Sequence, residues 1–450
     1  MPGFLVYLIY NLLFPVFLII GIPGYIVKGM KRGNLKRNLA QRFGNLPDSI
    51  TSLEEKTLWL HAVSVGEVLV AAKIIRAILQ KAPDKKIVLT TTTTTGYRVA
   101  EKELEGQVIV IHNPVDLPHV VKKVVKQINP EKLILVEAEV WPNLVKHLHR
   151  LGIPVLLANA RLSPRSERRY RKVAGLISPV FSLVDRASVP FDTDVERWSA
   201  IGIEKESISV LGSVKFDESV AGSPDAKIEE LKSWLNENGY SGGPIFLAGS
   251  THAGEEEICG QVWKDLKDRF PELTLVIVPR HAERAPDFKP ELENLGLTPI
   301  FRSYPVQSES VQGTVENGTG YNSNSVFISD TTGELRAWYH LASVVFIGKS
   351  LTGKGGQNPV EPVLTGKPTI VGPNMQNFGE VISDLVKKDG ITQVEDADAL
   401  KAALSTLLEN PSAGIAQAER GKAAMESHHG AALRTADWIL NDKTGDAIEA

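Results

Sequence analysis

The chain has 450 residues, of which 43% are hydrophobic and 23% are charged, values typical of a folded globular protein. This length exceeds one ordinary hydrophobic core, so we expect two domains of roughly 200 residues each. The single cysteine, Cys259, excludes an intramolecular disulfide and fits a reducing compartment.

Charge is divided unevenly along the chain. Residues 1–215 hold 30 Lys and Arg against 19 Asp and Glu, a net charge of +11; the totals of 50 and 53 leave 20 and 34 for the remainder, a net charge of −14. The basic half suits an anionic surface or substrate. No nucleic-acid-binding motif accompanies the positive charge, so a nucleic-acid partner is not expected.

The chain begins with an apolar segment. Residues 4–27 contain no charged side chain, and a run of roughly 24 residues is long enough to cross a bilayer. Basic residues follow it with no intervening acid, namely Lys28, Lys31, Arg32, Lys36, Arg37 and Arg42. This distribution keeps the following chain in the cytoplasm. We predict an uncleaved membrane anchor at residues 1–27, with a helix lying in the membrane interface as the alternative.

Apolar strands alternate with amphipathic helices through the rest of the chain, which predicts an α/β fold with parallel sheets covered by helices on both faces. In the first half we predict strands at residues 57–62, 87–92, 108–111, 133–136, 155–158 and 188–190. In the second half we predict strands at residues 245–248, 274–278, 325–328, 344–347 and 369–371. Each half therefore suits its own doubly wound, Rossmann-like sheet, where ligands bind at the carboxyl ends of strands.

A polar stretch rich in Gly and Ser separates the two predicted sheets. We predict an N-terminal domain at residues 28–218, an interdomain linker with one helix at 219–243, a C-terminal domain at 244–440 and a tail at 441–450. Residues 306–324 have few apolar side chains and are predicted to form a surface loop.

Glu67 follows the first predicted strand and a loop of small residues, at the start of a helix. A carboxylate at this position commonly stabilises the helix dipole. The alternative is a general base that takes a proton from an incoming hydroxyl. The threonine run from Thr90 to Thr95 precedes Gly96 and also allows both a structural and a functional interpretation. Its first members suit a strand, whereas Thr95 lies where a helix start offers hydroxyl and N–H groups to an anion or sugar.

Two acids, Glu137 and Glu139, follow the strand predicted at 133–136. Two carboxylates this close repel each other unless cations or hydroxyls hold them. Arg161 is a plausible partner, in a structural ion pair or in contact with substrate. Lys215 is predicted near the domain junction, where a cation could meet a leaving phosphate.

A metal site is not predicted. Asp192-Thr193-Asp194 has a spacing that suits a divalent ion, but no further acids are placed to complete a site. No other cofactor is expected.

Three segments of the second half combine a strand end with groups that suit a nucleotide. Arg280 follows Pro279 and could bind a phosphate with two parallel hydrogen bonds. The turn at 330–335, DTTGEL, offers backbone N–H groups. In GGQNPVEP at 355–362, two glycines allow close approach of a ligand, and a proline fits the first turn of a helix. Asn358 and Glu361 can then point the same way, with the carboxylate placed for the two hydroxyls of a ribose. An ordinary helix cap is the alternative.

Together these segments resemble the Kdo transferases, a family of enzymes that add 3-deoxy-D-manno-octulosonic acid (Kdo) to lipid A precursors. The matching segments are HAVSVGE at 61–67, the threonine run ending in Gly96, EAEVWPN at 137–143, GSVKFD at 212–217, GSTHAGEE at 249–256, PRHAER at 279–284, DTTGEL at 330–335 and GGQNPVEP at 355–362. They occur in the expected order, and the N-terminal anchor is also shared. The chain departs from the family pattern at Gln357, where a histidine is frequent.

The resemblance implies an inverting glycosyltransferase of the GT-B type, with two Rossmann-like domains facing across a cleft. It implies CMP-Kdo as donor, a glucosamine hydroxyl of the lipid A precursor as acceptor, and the cytoplasmic face of the inner membrane as location. Glu67 matches the catalytic base of the family. The segments that match its CMP-binding positions contain Pro279, Arg280, Gly333, Glu334, Leu335, Asn358, Pro359, Val360 and Glu361.

Lys215 and Glu139 also match positions that are functional in the family, and we add Arg161 and Thr95 as substrate contacts suggested by their own placement. Because the leaving group is a monophosphate, Arg280, Lys215 and helix N-termini could stabilise it without a metal. Two other functions remain open from the residues: a UDP-sugar-dependent transferase or epimerase on the same architecture, and a non-catalytic, membrane-anchored lipid-binding protein.

Overall fold

The computed structural model describes residues 2–32, 35–162, 164–217, 224–303 and 322–441. The chain divides into two compact units: Met1–Val220 with Ser427–Ala450 form the first, and Ala221–Glu426 form the second. Within the described residues each unit is built on a parallel sheet of seven strands. The predicted α/β class with two doubly wound domains is confirmed.

The sheet of the first unit has its first strand near the centre. Its strands are β1 Thr57–Ala62, β2 Ile87–Thr91, β3 Ile109–His112, β4 Pro130–Val136, β5 Val155–Ala158, β6 Arg186–Val189 and β7 Ile208–Val210. They are arranged in the order β3-β2-β1-β4-β5-β6-β7. Strand β1 pairs with β2 on one side and with β4 on the other. The topological switch point, where such sheets bind ligands, therefore lies between β1 and β4.

Helices cover both faces of this sheet. They are α1 Pro2–Arg32, α2 Leu35–Arg42, α3 Asp48–Thr51, α4 Val65–Lys81, α5 Thr94–Leu104, α6 Pro118–Ile128, α7 Pro142–Arg150, α8 Pro164–Lys172, α9 Ala174–Phe181 and α10 Asp192–Ser199. Buried apolar side chains of α4 and α5 pack on one face, and those of α6, α7 and α9 pack on the other. These two cores fix the loops that leave the carboxyl ends of the strands.

The sheet of the second unit repeats the arrangement, again with its first strand central. Its strands are β8 Ile245–Thr251, β9 Thr274–Pro279, β10 Thr298–Phe301, β11 Ser325–Ile328, β12 Val344–Ile347, β13 Thr369–Val371 and β14 Thr392–Gln393. They are arranged in the order β10-β11-β9-β8-β12-β13-β14. The switch point lies between β8 and β12. The helices of this unit are α11 Asp225–Glu237, α12 Glu255–Lys267, α13 Ala285–Asn294, α14 Leu335–Leu341, α15 Val360–Leu364, α16 Gly379–Lys387, α17 Ala397–Glu409 and α18 Pro411–Met425.

All eleven predicted strands occur, five of them with the predicted bounds. The strands that the sequence analysis missed are β7, β10 and β14, which end the two sheets. Most of their residues are only partly buried. An edge strand needs fewer apolar side chains than a central one, so its sequence signal is weaker.

The packing divides the chain differently from the predicted boundaries. Helix α11, predicted within the linker at 219–243, belongs to the second unit, where the Trp234 ring contacts those of Phe327 and Trp338. The last helix, α19 Ala431–Leu440, was predicted in the C-terminal domain but packs against α4 in the first unit. Residues 306–321 of the predicted loop and 442–450 of the predicted tail lie outside the described residues.

The return of the chain to the first unit explains the GSVKFD segment. The backbone N–H of Ser213 donates to His428 Nδ1 over 3.1 Å. The buried Asp217 carboxylate accepts from the backbone N–H groups of Gly430 at 3.0 Å and Ala432 at 2.7 Å. Asp217 thus satisfies two N–H groups at the start of α19, which have no partner inside the helix.

The predicted apolar N-terminal segment is helical. Within α1, the window Gly3–Ile20 is long and apolar enough to cross a membrane. The same helix also contacts the first unit, because Tyr10 Oη donates to Asp116 Oδ2 over 2.9 Å. Asn11 and Asn143 exchange side-chain hydrogen bonds of 2.9 and 3.1 Å.

Candidate active site

Glu67 lies directly after β1, where α4 begins. Ser64 is the N-cap of α4, and its Oγ accepts from the Glu67 backbone N–H over 3.4 Å. The Glu67 carboxylate accepts in turn from Ser64 Oγ at 3.2 Å and from the Ser64 N–H at 3.4 Å. This reciprocal pair is a capping box. The predicted capping role is therefore present, and the half-buried carboxylate also lies at the switch point of the sheet.

Glu137 and Glu139, which follow β4, lie close to Glu67, and we call these three residues the acid cluster. Burial raises the pKa of Glu137, and the Glu67 carboxylate raises it further, whereas Arg161 and Lys215 act to lower it. Burial and the Glu67 carboxylate also raise the pKa of Glu139. Four predicted site residues, Glu67, Glu139, Arg161 and Lys215, thus come together around Glu137.

The backbone at this sheet edge is strained. Glu137 has a φ of 64° and Asn159, after β5, has a φ of 52°, values in the left-handed region that side chains rarely adopt. The Glu137 N–H donates to Ala158 O over 3.0 Å, and the Arg161 N–H donates to Glu137 O over 3.3 Å. Such strain costs about 1–3 kcal/mol per residue and tends to occur at functional sites. The hydrogen bond from the Arg161 N–H to Glu137 O holds Glu137 beside Arg161.

Lys215 is brought to the cluster by contacts of its own loop. Lys73 Nζ, on the same helix as Glu67, donates to Lys215 O over 3.2 Å and to Asp217 O over 2.6 Å. The Val214 N–H donates to Asn159 Oδ1 over 3.0 Å. Lys215 is exposed, and partial desolvation together with the nearby Arg161 lowers the pKa of its ammonium group.

The threonine run is divided between strand and helix as predicted. Thr90 and Thr91 are buried in β2, and Thr93 is the N-cap of α5, with its Oγ1 accepting from the Gly96 N–H over 3.0 Å. Thr95 is exposed in the first turn of α5. Among the described residues no hydrogen bond joins Thr95 to the acid cluster, so its role as a substrate contact stays a prediction.

His61 is a residue near the site that the sequence analysis did not single out. It is fully buried in β1, and burial lowers its pKa to about 4. Its Nε2 accepts from Trp141 Nε1 over 3.1 Å, so Nδ1 carries the proton and donates to Thr90 Oγ1 over 2.9 Å. Neutral His61 therefore fixes Trp141, which ends the loop that carries Glu137 and Glu139. The sequence signal that points to His61 is a polar residue inside the otherwise apolar run LWLHA.

In the second unit, Glu255 joins the two loops that flank the switch point. It starts α12, is fully buried, and accepts from the His252 N–H over 2.9 Å. It also accepts from the backbone N–H groups that follow β12, namely Lys349 at 2.6 Å, Ser350 at 3.0 Å, Leu351 at 3.0 Å and Thr352 at 3.4 Å. Glu255 thereby shapes the chain that leads to Asn358 and Glu361.

The side chains of Asn358 and Glu361 do point the same way, because Asn358 Nδ2 donates to Glu361 Oε1 over 3.0 Å. Asn358 Oδ1 also accepts from the Val360 N–H over 3.1 Å. Helix α15 begins at Val360, so Pro359 is its N-cap, and the predicted first-turn position of Pro359 was wrong by one residue. The Asn358 side chain stabilises the turn before the helix by accepting from the Val360 N–H.

The two glycines of this segment have a packing role, and their role in the close approach of a ligand stays a prediction. Gly355 and Gly356 have φ values of 100° and 69°. A Cβ on Gly356 would lie 2.3 Å from the Met375 sulfur, and one on Gly355 would lie 2.5 Å from Asn377 Nδ2. At Gln357, Nε2 lies 3.3 Å from His252 Nε2, so the departure from the family pattern keeps a polar contact between the two loops.

Arg280 and the 333–335 turn lie at the carboxyl ends of β9 and β11. Arg280 is exposed, directly after Pro279, the last residue of β9. Glu334 is buried and accepts from Arg302 Nε over 2.8 Å and from Ser329 Oγ over 3.1 Å. The Glu334 carboxylate therefore stabilises the fold. The backbone of Gly333 and Leu335 is the part of this turn that remains available to contact a ligand.

The predicted weakness of the Asp192–Asp194 pair as a metal site agrees with its contacts. The Asp194 carboxylate is buried and accepts from Arg197 Nη1 over 2.8 Å within α10. In the part of the chain that the structure describes, no group of three or more His, Cys, Asp or Glu side chains is placed to hold a metal ion. Metal independence stays a prediction.

Comparison with known proteins decides the family. Residues 37–218 match the family model described as 3-Deoxy-D-manno-octulosonic-acid transferase (kdotransferase). A 3-deoxy-D-manno-octulosonic acid transferase of Haemophilus influenzae is 30% identical over 412 residues, which cover 91% of this chain and 92% of that protein. The chain belongs to the Kdo transferase family. It is a glycosyltransferase, and the resemblance stated from its motifs is confirmed.

Two further comparisons support this assignment at different levels. A 3-deoxy-D-manno-octulosonic acid transferase of Bordetella pertussis is 30% identical over 407 residues, which cover 88% of this chain and 90% of that protein. The UDP-GlcNAc 2-epimerase of Neisseria meningitidis, solved with UDP-GlcNAc bound, superimposes with a TM-score of 0.54 over 86% of this chain and 98% of its own, at 13% identity. At that identity the likeness concerns the fold, which is of the GT-B class.

Proposed function

We propose that this Kdo transferase moves Kdo from CMP-Kdo to a glucosamine hydroxyl of a lipid A precursor, with inversion at the anomeric carbon. The second unit holds the CMP portion of the donor, and the first unit activates the acceptor. The observation that carries the proposal is the position of Glu67. It lies at the switch point of the first sheet, close to two acids whose pKa values it helps to raise, and one of these acids, Glu137, also interacts with Arg161 and Lys215.

The proposed chemistry is a single displacement. A Glu67 carboxylate oxygen takes the proton of the acceptor hydroxyl, and the hydroxyl oxygen bonds to the anomeric carbon of Kdo. The bond from that carbon to the phosphate oxygen breaks, and CMP leaves with the electron pair. Arg161 and Lys215 favour the ionised form of Glu137 and would offset the negative charge that the acid cluster presents to an anionic substrate.

CMP is proposed to bind at the switch point of the second sheet. The Asn358–Glu361 pair is placed for the ribose hydroxyls, with Pro359 and Val360 forming the backbone of the turn. The exposed Arg280, next to Pro279, suits the phosphate. The turn at Gly333 and Leu335, shaped by the buried Glu334, suits the cytosine base of CMP. These cationic and N–H groups suffice for a monophosphate leaving group, so we propose that transfer needs no metal and continues in EDTA.

Membrane attachment through α1 is part of the same proposal. The apolar helix and the net charge of +11 over residues 1–215 suit an anionic lipid substrate at the cytoplasmic face of the inner membrane. Flotation of the full chain with anionic phospholipid vesicles tests this attachment. Recovery of the protein away from the vesicles would contradict it.

The capping box allows a sharp test of Glu67, because Glu and Gln both serve at this position of the box. Glu67→Gln keeps the cap and removes the base, so we expect transfer to fall by roughly 10²–10⁴-fold with CMP binding unchanged. Ser64→Ala removes the cap and keeps the carboxylate, so we expect a loss of about 1 kcal/mol of stability with most transfer retained. Product mass spectrometry with purified protein, lipid A precursor and CMP-Kdo measures both variants.

The opposite pattern would reject the proposal. If Glu67→Gln transferred Kdo normally while Ser64→Ala did not, Glu67 would be a helix cap only. Titration with CMP and UDP provides an independent check on the donor. Preferential binding of UDP would favour a UDP-sugar as substrate instead.

A further inference from the structure

A groove runs between helix α1 and the body of the first unit, and we call it the helix–domain groove. Its volume is about 410 Å³, within the roughly 300–1,000 Å³ of typical ligand sites. Apolar side chains dominate its walls, among them Leu13 and Phe17 of α1 and Ile177 and Phe181 of α9. The groove is therefore suited to an apolar ligand.

Polar contacts hold α1 at this position. The Asp116 carboxylate is buried and accepts from Tyr10 Oη at 2.9 Å and from the Asn143 N–H at 2.9 Å. Asn11 and Asn143 exchange two hydrogen bonds, as described above. Buried polar groups are costly unless they are paired, so these contacts select one position for the helix. The groove is a consequence of that position and not of loose packing.

One end of the groove reaches the acid cluster. Glu139 lines the groove and lies close enough to Glu67 for their charges to interact. Tyr170 of α8 lines it as well. The same helix exposes the basic side chains Arg168, Arg169, Arg171 and Lys172. An apolar channel, a catalytic carboxylate and an exposed basic helix are thus neighbours in one unit.

This combination matches the parts of an acylated sugar phosphate. We propose that the helix–domain groove binds one acyl chain of the acceptor lipid and thereby holds the acceptor sugar at Glu67; the inference rests on the proposed function. The basic side chains of α8 would lie near the acceptor phosphates. The outer face of α1 exposes Leu5, Leu8 and Leu12, among other apolar side chains, so a chain could enter the groove from the surrounding hydrocarbon.

Neighbouring leucines of α1 provide a matched pair of variants. Leu13 lines the groove, whereas Leu12 is 65% exposed and is not among the lining residues. Leu13→Trp should displace at least two methylene groups of a bound chain and raise KM for the acylated lipid A precursor about tenfold or more. Leu12→Trp should leave that KM unchanged. Ile177→Trp fills the groove from the opposite wall and should act like Leu13→Trp.

The deacylated disaccharide bisphosphate of the same precursor is the control acceptor. We expect Leu13→Trp and wild type to use it with the same KM, because no chain enters the groove. CMP affinity and thermal stability of each variant report correct folding. A precursor carrying a photoreactive diazirine at the end of an acyl chain should crosslink to peptides containing Leu13 or Ile177 in the wild-type protein.

The outcomes separate this inference from the proposed function. If wild type transferred Kdo to neither acceptor, the proposed function would fail. If wild type were active but both tryptophan variants of α1 behaved alike, or crosslinks mapped elsewhere, the groove assignment alone would be overturned. Equal KM increases for acylated and deacylated acceptors in Leu13→Trp would likewise overturn it, since the groove would then affect the active site without holding a chain.

Discussion

The two units place a glutamate at the same point of the fold and use it differently. Glu67 follows β1 and Glu255 follows β8, and each carboxylate accepts from the backbone N–H three residues earlier, at Ser64 and at His252. Glu255 is fully buried and joins a second loop through further N–H groups. The carboxylate of Glu67 bonds only within its own turn among the described residues.

The difference shows that carboxylates at equivalent switch points of two sheets can have different contacts and therefore different roles. Four additional N–H donors, from residues 349–352, commit Glu255 to holding the loop that leads to Asn358 and Glu361. Glu67 meets Glu137 and Glu139 instead, and its charge helps to raise the pKa of both. One position serves architecture in one unit and is proposed to serve chemistry in the other.

Replacing the structural glutamate should produce the largest change in stability. Glu255→Gln halves the acceptor capacity for the surrounding N–H groups, so we expect the free energy of unfolding to fall by about 3 kcal/mol. CMP affinity should fall with it, because Glu255 shapes the loop before Asn358. Thermal denaturation and CMP titration measure the two effects.

Glu257→Gln is the matched control, because Glu257 is exposed in the first turn of the same helix. Its effect should stay within about 0.5 kcal/mol. Equal melting temperatures for Glu255→Gln and Glu257→Gln would remove the distinction between the two units.

His61 allows the electrostatics of the first unit to be tested by pH. Its pKa is about 4 in the folded chain, against about 6.5 when unfolded. The stabilisation by neutral His61 is therefore complete above pH 6.5 and is lost as pH falls towards 4. The loss amounts to about 3 kcal/mol. Burial raises the pKa of Asp116 to about 6, which has the opposite sign and would mask this loss in wild type alone.

The comparison with His61→Gln isolates the effect. The destabilisation caused by this substitution should be largest at pH 7 and should shrink by about 3 kcal/mol by pH 4. Urea unfolding across this range measures it. His149→Gln, at an exposed position of α7, should cost less than about 0.5 kcal/mol. A destabilisation by His61→Gln that did not vary with pH would contradict the buried, neutral imidazole.

Lys215 tests whether the acid cluster depends on its cations. Lys215→Met removes a charge that lowers the pKa of Glu137, so the pKa of Glu137 should rise and the part of the acidic limb of kcat/KM that reports Glu137 should move to higher pH. The maximal rate should fall roughly 10²-fold, as when one preorganised electrostatic contact is lost. Lys205→Met, which removes an exposed lysine paired with Glu196, is the control. An unshifted profile would place Lys215 outside the catalytic electrostatics.

Glu361 tests the nucleotide side of the comparison, with the smallest expected effect. Glu361→Gln weakens acceptance from the two ribose hydroxyls, so CMP affinity should fall about tenfold. The KM for the acceptor lipid should not change. Glu395→Gln, at an exposed position of the same unit, is the control. Calorimetric titration with CMP that gave equal affinities for the two variants would contradict the ribose contact.

The sequence predicted the central strands and the members of the acid cluster, because both depend on local patterns. A buried strand is a short apolar run, and Glu67, Glu139 and Arg161 each follow one within five residues. The sequence did not predict that Asp217 caps a helix that begins at Ala431, since this contact joins residues more than two hundred positions apart. It also missed the role of His61, whose partner Trp141 lies on another strand's loop.

The return of residues 427–440 to the first unit makes the second unit an insertion within the first. During synthesis, residues 221–426 can fold as soon as they leave the ribosome. The first unit must wait for α19, whose Trp438 and Ile439 complete its core. The second unit is therefore expected to mature before the first, although its sequence comes later.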